Sequence, residues 1–508
     1  VAAQNWSRRG LLGAAAALGT TAALGGPPAA ARTPGIRRDR PVLTHGVQAG
    51  DAYDGAVSVW TRSDRVGRML VEVSDRPDLR RAHTVLGPVL GPGTDFTGRT
   101  RLRGLRAGRR AYYRVRVVGE HRAESAPLTG SLSVPGTRDD LSFVWTGDIA
   151  GQGWGINPDL GGMRIFEAMR RVRPDFYLCS GDTVYADGPL AESVTLPDGR
   201  AWRNVVTPEK SKVAETLAEY RGQFAYNLLD ANVRRFFAEV PQLNQWDDHE
   251  VTNNWYPGEI LDDARYTEKR VDVLAARSRQ AFYEWTPIAP GPVYKKVSYG
   301  PLLDVFVLDM RTYKDPNDGN VYADPRCGLL GETQRRWLTD GLRRSTATWK
   351  VIANDLPIGL VVPDGPAAQE GVAQGDDGAP LGRETEFAGI LRDAHRHGVT
   401  GIVFVTADVH YTAAHHYDPA RAAVGDFTPF WEFVSGPANA GAFGPNALDG
   451  TFGPTAVFVH APPVANTSPL DGFQHFGEVR IDRRSKELTV NLRDLDGAVL
   501  WTTTLPCP

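Results

Sequence analysis

The sequence predicts an α/β protein, a layered β-sheet core with flanking helices preceded by an all-β sandwich, and three observations predict it. From about residue 141 onward, short apolar runs alternate with helix-length stretches, the pattern of strands packed between helices. Before about residue 136 the chain carries period-two and β-branched runs and no helix-length pattern. In the second part, run after run stops at Asp, His, Asn or Arg, which lines one edge of a sheet with polar chemistry.

Composition sets the outer bounds. A chain of 508 residues that is 42% hydrophobic and 23% charged can bury more than one core. Its formal net charge of -3 supplies no basic excess to neutralise a phosphate backbone, which argues against a stable nucleic-acid complex. Three cysteines, Cys179, Cys327 and Cys507, are too few for a disulfide scaffold. A single Cys327–Cys507 bridge is left open, and Cys179, inside an apolar run, reads as a buried structural thiol. No run past the first residues reaches the length of a membrane span.

In chain order, residues 1–31 read as a targeting segment. Ser7-Arg8-Arg9-Gly10-Leu11-Leu12 opens a weakly apolar stretch and Ala29-Ala30-Ala31 offers a small-residue cleavage site. That is a twin-arginine signal, so the expected partner is the twin-arginine export machinery and the expected location is outside the cell. After a Pro/Arg-rich link, residues 38–136 form the all-β module. Strands are expected around Ala56-Val57-Ser58-Val59-Trp60-Thr61, Met69-Leu70-Val71-Glu72-Val73 and Tyr112-Tyr113-Arg114-Val115-Arg116-Val117. Leu105-Arg106-Ala107-Gly108 resembles the turn before a late strand in fibronectin type III-like sandwiches. No cluster of metal ligands or catalytic groups falls there.

Residues 141–505 form the layered core. Strands are expected at 141–146, 176–180, 240–246, 302–308, 349–353 and 401–406. Helix is expected at 162–171 and over most of 208–237. Residues 363–382, rich in Gly, Ala and Asp, read as a flexible loop, and 435–472 as a long irregular stretch; loops of that length are more often functional covers than accidents. The tail, 477–505, reads as strands around an Asp496-Gly497 turn.

Each of the six strands delivers a polar group at its carboxyl end: Asp148; Asp182 with Tyr185; Asp247-Asp248-His249-Glu250; Asp309 and Arg311; Asn354-Asp355; Asp408 and His410. Alone, each is an ordinary capped turn. Together, carboxylates gathered in one crevice repel one another in a low dielectric and imply cations there. Oxygen-rich ligation with few histidines points to hard metals such as Ca²⁺, Mn²⁺ or Fe³⁺, with zinc still open.

The ordered set Gly147-Asp148, Gly181-Asp182-x-x-Tyr185, Trp246-Asp247-Asp248-His249-Glu250, Leu308-Asp309-x-Arg311 and Asp408-x-His410-Tyr411 resembles the PhoD-type alkaline phosphatase family of the calcineurin-like metallophosphoesterases. The signal and the β-rich leading module also match that family's layout, and the chain is similar to exported actinobacterial phosphatase and phospholipase D members of it. The resemblance implies a metallophosphoesterase-type core and hydrolysis of phosphoric esters, monoesters and diesters, by a water activated between two metals. It implies that Asp148, Asp182, Tyr185, Asp248, Asp408 and His410 hold the metals, Fe³⁺ and Ca²⁺, with Mn²⁺ or Zn²⁺ as alternatives. Asp182 would bridge two ions and Tyr185 would bind ferric iron as phenolate. His249 stands at the position of the superfamily's catalytic histidine, and Arg311 is a candidate phosphate clamp, its guanidinium matching phosphate oxygens two at a time, or else a surface salt bridge.

Two departures bear on the metals. Asp148 stands where many family members carry cysteine, which leaves a shell of oxygen and nitrogen only. Asn354-Asp355 stands where a histidine is common, and either residue could ligate Ca²⁺. His415 and His416 read as loop histidines, and His395 and His397 as solvent-facing on a helix. Two other functions remain open on sequence: phospholipase D-type hydrolysis of phospholipids, with aromatic segments 427–433 and 443–452 touching lipid or, more simply, packing; and a non-catalytic protein binding cell wall or polymer.

Overall fold

Two large sheets packed face to face position everything else. The computed structural model describes residues 40–508 except 54, 135, 137–139 and 324–327. The signal expected at residues 1–31, and Cys327 of the bridge left open above, lie outside the described residues.

The first sheet has nine strands, in the order Val499–Leu505, Leu488–Asp494, His475–Ile481, Leu141–Thr146, Phe176–Ser180, Gln242–Gln245, Leu43–Tyr53, Ala56–Ser63 and Thr97–Leu102. The second has seven: Lys295–Tyr299, Leu303–Val307, Trp349–Ala353, Ile402–Thr406, Phe430–Ser435, Thr412–Tyr417 and Pro454–His460. In each, the central neighbours run parallel, Leu141–Thr146 beside Phe176–Ser180 beside Gln242–Gln245 in one, Leu303–Val307 through Ile402–Thr406 in the other.

Strand alternation sorts the side chains. Phe143, Trp145 and Leu178 point into the space between the sheets, where they meet Val305, Val351 and Val405. Val144, Tyr177 and Cys179 point the other way, into a core shared with Phe166, Phe224, Phe236 and Phe282 of the helices Ile165–Arg171, Leu217–Asn227, Ala231–Glu239 and Val271–Trp285. Phe306, Ile352 and Phe404 face the helices Gly331–Arg344 and Glu384–Arg396. The result is helix, sheet, sheet, helix, with strands buried on both faces reading as the continuous apolar runs seen in sequence.

The leading module is a sandwich of Leu43–Tyr53, Ala56–Ser63 and Thr97–Leu102 against a second sheet in the order His83–Leu90, Gly67–Ser74, Arg109–Val118 and Leu128–Val134. Its first sheet runs on into the nine-stranded one through Gly50, which pairs with Gln242. A side chain at Gly50 would meet Pro287 at 2.6 Å, so the junction needs glycine. The buried Asp51 pairs with Lys295 at 2.6 Å across the same seam. Asp39–Pro508 form one compact unit.

Three sequence expectations need correction. Residues 363–382 are not a loose loop: the hairpin Pro363–Asp364 and Ala368–Gln369 is pinned by the buried Arg383, which donates to the carbonyls of Gln369 and Glu370 at 2.8 Å each. Residues 435–472 contain the strand Pro454–His460. His415 and His416 lie on the strand Thr412–Tyr417 rather than in a loop, with His415 buried. His395 and His397 are exposed at the end of Glu384–Arg396, as expected. Among the described residues, no helix is long and apolar enough to cross a membrane.

Candidate metal centre

The carboxyl ends of the six parallel strands meet, and three of them turn sharply as they leave their sheets. Asp148, Asp182, Asp408 and His410 have φ of +55°, +48°, +60° and +62°. Left-handed backbone at four non-glycine positions is a local cost that Asp bears better than most residues, and it aims side chains into the crevice. At Gly181, φ +88°, a side chain would overlap Asp247, so only glycine lets the two acidic turns touch.

Three overlapping groups result: Asp148 with Asp182 and His410; Asp182 with Asp248 and His249; Asp247 with Asp248 and Asp408. Within each, one ligand atom per residue lies within 4.8 Å of the others. Asp182 and Asp248 each belong to two groups, the arrangement a bridging ligand requires. Tyr185 joins the first, its hydroxyl 2.8 Å from His410 Nε2 and its ring over the backbone of Gly151, where any side chain would collide. His410 Nδ1 lies 2.5 Å from the Gly441 carbonyl, so Nδ1 carries the proton and Nε2 turns its lone pair inward.

The histidine at the next turn is held differently. His249 Nδ1 lies 2.8 Å from Asp187 Oδ1, and the other Asp187 oxygen accepts the Asn253 amide at 2.9 Å. Its ring stacks on Tyr185 at 4.2 Å. The buried Glu250 ties the two acidic turns together, accepting the amides of Thr183 at 2.6 Å and Asp247 at 2.8 Å.

Electrostatics identify what the crevice suits. Both oxygens of the fully buried Asp148, and one each of Asp247, Asp355 and Asp408, have no hydrogen-bond partner. Burial, reinforced by neighbouring carboxylates, pushes Asp148, Asp182 and Asp408 well above the usual carboxylate range. Burial, opposed by Arg311, takes Asp247 up to about 7. Asp248 goes the other way, because His249 and Arg311 outweigh its burial. Burial opposes charge on His249, yet Asp187 and Asp248 prevail and raise it to about 10. Burial and Asp182 push the Tyr185 phenol well above its ordinary value, so a phenolate there needs an adjacent cation. Orphaned, crowded carboxylates with one imidazole lone pair fit hard, oxygen-preferring cations.

A pH dependence follows for the chelated protein. Carboxylates with raised folded-state values bind protons in the native chain that they have released, above about 3.9, in the unfolded one. Their contribution to stability is therefore present below that value and lost as pH rises through the folded values, about 7 for Asp247, with Asp148, Asp182 and Asp408 also raised. The thermal midpoint of chelated protein should fall between about pH 5 and about pH 8, and added divalent cation should reverse the fall. A midpoint flat over that window would contradict the crowding.

All six metal candidates of the sequence reading, Asp148, Asp182, Tyr185, Asp248, Asp408 and His410, meet here, with His249 beside them. Arg311 also arrives, but it is 0% exposed behind the groups rather than on the surface. Its Nε donates to Asp247 Oδ1 at 2.6 Å, Nη1 pairs with Glu370, and Nη2 lies 3.5 Å from Asp408. Asp355 faces Arg311 at 3.7 Å and Asn354 donates to Glu432 at 3.1 Å; neither belongs to a ligand group. Sequence reasoning assigned no role to Asp187, Asp247, Glu250 or Glu370. Asp247 and Glu250 lie inside a quoted motif and Asp187 two residues past another, and their acidic character is the available signal; Glu370 sits in the stretch read as a flexible loop and carries none.

The groups form the floor of a cleft of about 400 Å³ walled by Gln152, Asn253, Asn254, Asp364, Phe443 and Asn446. A family profile described as PhoD-like phosphatase matches residues 143–492, and one described as PhoD-like phosphatase, N-terminal domain, matches residues 29–134. Alkaline phosphatase D of Bacillus subtilis (strain 168) is 27% identical over 396 residues, 72% of this chain; the chain spans 64% of that relative's length. A solved structure of PhoD superposes with a TM-score of 0.68 at 20% identity, covering 91% of this chain and 89% of that one. The purple acid phosphatase PPD1 from yellow lupin (Lupinus luteus) seeds superposes with a TM-score of 0.54 at 11% identity, covering 92% and 74%. At these identities the structural likeness is one of fold.

Proposed function

The chain belongs to the PhoD-like phosphatase family, and from that premise we propose that it is a metal-dependent hydrolase of phosphoric esters, acting on monoesters and on diesters. One observation carries the reading: three acid-rich ligand groups share Asp182 and Asp248 on the floor of an open cleft. Asp148, Asp182, Tyr185 and His410 would hold one cation, and Asp182, Asp248, Asp247 and Asp408 the other side of the site. Bound there, such cations neutralise the ester phosphate and acidify a water. Fe³⁺ beside Tyr185 and Ca²⁺ on the carboxylate side suit these donors, with Mn²⁺ or Zn²⁺ as alternatives.

The chain's own groups do the rest. Asp187 orients His249 through Nδ1, which leaves Nε2 to give a proton to the departing alcohol oxygen. Arg311 acts as a positioning residue rather than a phosphate clamp, because its donors already meet Asp247, Glu370 and Asp408. Gly441 fixes the His410 tautomer, and Glu250 keeps the Asp182 and Asp247 turns in register. Export by the twin-arginine route, with the ester met outside the cell, completes the proposal and rests on the motif at Ser7-Arg8-Arg9-Gly10.

Phospholipid hydrolysis gains little from the aromatic segments. Phe427, Phe430, Phe433 and Phe452 are core residues, and Phe443 is the aromatic side chain that lines the cleft. The test is to compare phosphate release from nitrophenyl phosphate with headgroup release from phosphatidylcholine vesicles, before and after chelation. The expected result is chelator-sensitive release from the nitrophenyl ester and little from vesicles. Chelator-insensitive hydrolysis, or none by metal-replete protein, would overturn the reading.

A further inference from the structure

A charged floor treats every ester phosphate alike; esters are told apart by the wall on which the leaving group rests. Among the described residues lining this cleft there is no Lys or Arg. Two cations, Arg311 and Lys314, are buried behind it and face Glu370, and His249 on the floor faces Asp187, so those charges are answered within the protein. Gln152, Asn253, Asn254 and Asn446 are neutral, and Phe443 packs its ring edge-on to His410 at 5.2 Å.

Asp364 is the exception on this rim. It stands half-buried at the end of the first strand of the hairpin pinned by Arg383. Its Oδ1 accepts from Asn254 Nδ2 at 2.9 Å and its Oδ2 from Asn317 Nδ2 at 2.8 Å. Both partners are neutral amides, which hold the carboxylate in place and leave its charge intact. Among the described residues it belongs to no ion pair. Its field reaches across the rim, where it adds to burial in raising Glu259 and Tyr256.

We propose that Asp364 is a specificity-determining residue that makes the cleft favour phosphate esters with a cationic or uncharged leaving group over esters carrying a second anionic group. This rests on the phosphoester-hydrolase reading and adds the substrate class to it. The phosphate is neutralised on the floor, so what remains of the substrate meets a wall with one fixed, unanswered negative charge. A single charge at such range, in a partly wet cleft, discriminates by about fivefold per unit of leaving-group charge and weakens as salt is added.

The experiment compares three small monoesters on metal-replete full-length chain: ethanolamine phosphate, glycerol phosphate and 3-phosphoglycerate, whose leaving groups carry charges of about +1, 0 and -1 at neutral pH. The expected order of kcat/KM is ethanolamine, glycerol, glycerate, with about fivefold between neighbours at low ionic strength. The ladder should contract in salt for the unaltered protein, a readout that needs no variant. In Asp364→Asn, which keeps the size of the side chain, still accepts from Asn317 and lets the Asn254 amide turn to meet it, the ladder should flatten chiefly by faster hydrolysis of the glycerate ester. Equal rates on all three esters, a reversed order, or a ladder unchanged by both salt and Asp364→Asn would overturn this assignment alone. Failure to hydrolyse any ester, nitrophenyl phosphate included, would sink the hydrolase reading and this assignment with it.

Discussion

Asp182→Asn should lower kcat/KM on any phosphate ester by more than about a thousandfold while leaving the fold intact. Asp182 offers oxygens to two ligand groups at once, and an amide replaces one of them with an NH₂ that cannot bind a cation. The backbone does not object, because φ at Asp182 is +48° and Asn is among the few residues at ease there. The same change removes one of the mutually repelling buried carboxylates. Chelated Asp182→Asn should therefore melt higher than chelated wild type, by about 2 °C, although the variant is inactive. Activity and metal-free stability moving in opposite directions is an outcome that simple misfolding cannot imitate. Retained activity would remove Asp182 from the bridging position.

The second large effect concerns His249. With the ring truncated in His249→Ala, turnover of esters with alkyl leaving groups should fall by about a hundredfold to a thousandfold. Nitrophenyl phosphate, whose leaving group departs without a proton, should lose far less. Asp187→Asn should fall between wild type and His249→Ala on alkyl esters, by about tenfold to a hundredfold, since it leaves the ring present but poorly oriented. An equal loss on both ester types would mean that His249 serves as a ligand or a packing group rather than as a proton donor. His249 is also grouped with Asp182 and Asp248, so the leaving-group comparison is what separates the two roles.

How much of this could be read beforehand depended on the range of the interactions involved. Strands such as Trp349–Ala353 are buried on both faces, so their apolar runs and polar stops are visible within a few residues of sequence. That sufficed to place Asp148, Asp182, Asp248, Asp408 and His410 at one edge. The work of Arg311 was not legible, because its partners Asp247, Glu370 and Asp408 lie about 60 to 100 positions away along the chain and only the folded sheet brings them to it. The hairpin carrying Asp364 was misread for a similar reason: its small, polar residues look flexible until Arg383 is seen to hold their carbonyls. Nor does local sequence around Gly50 reveal that it carries the leading sandwich into the larger sheet.

Elemental analysis of active protein, purified without added chelator, tests the underlying idea most directly. Convergence of Asp148, Asp182, Asp248, Asp408 and His410 on shared cations predicts at least about two metal ions per chain, iron or another hard cation among them, and a proportional loss of activity as they are removed. Full activity in a chain holding less than about one ion would contradict the account.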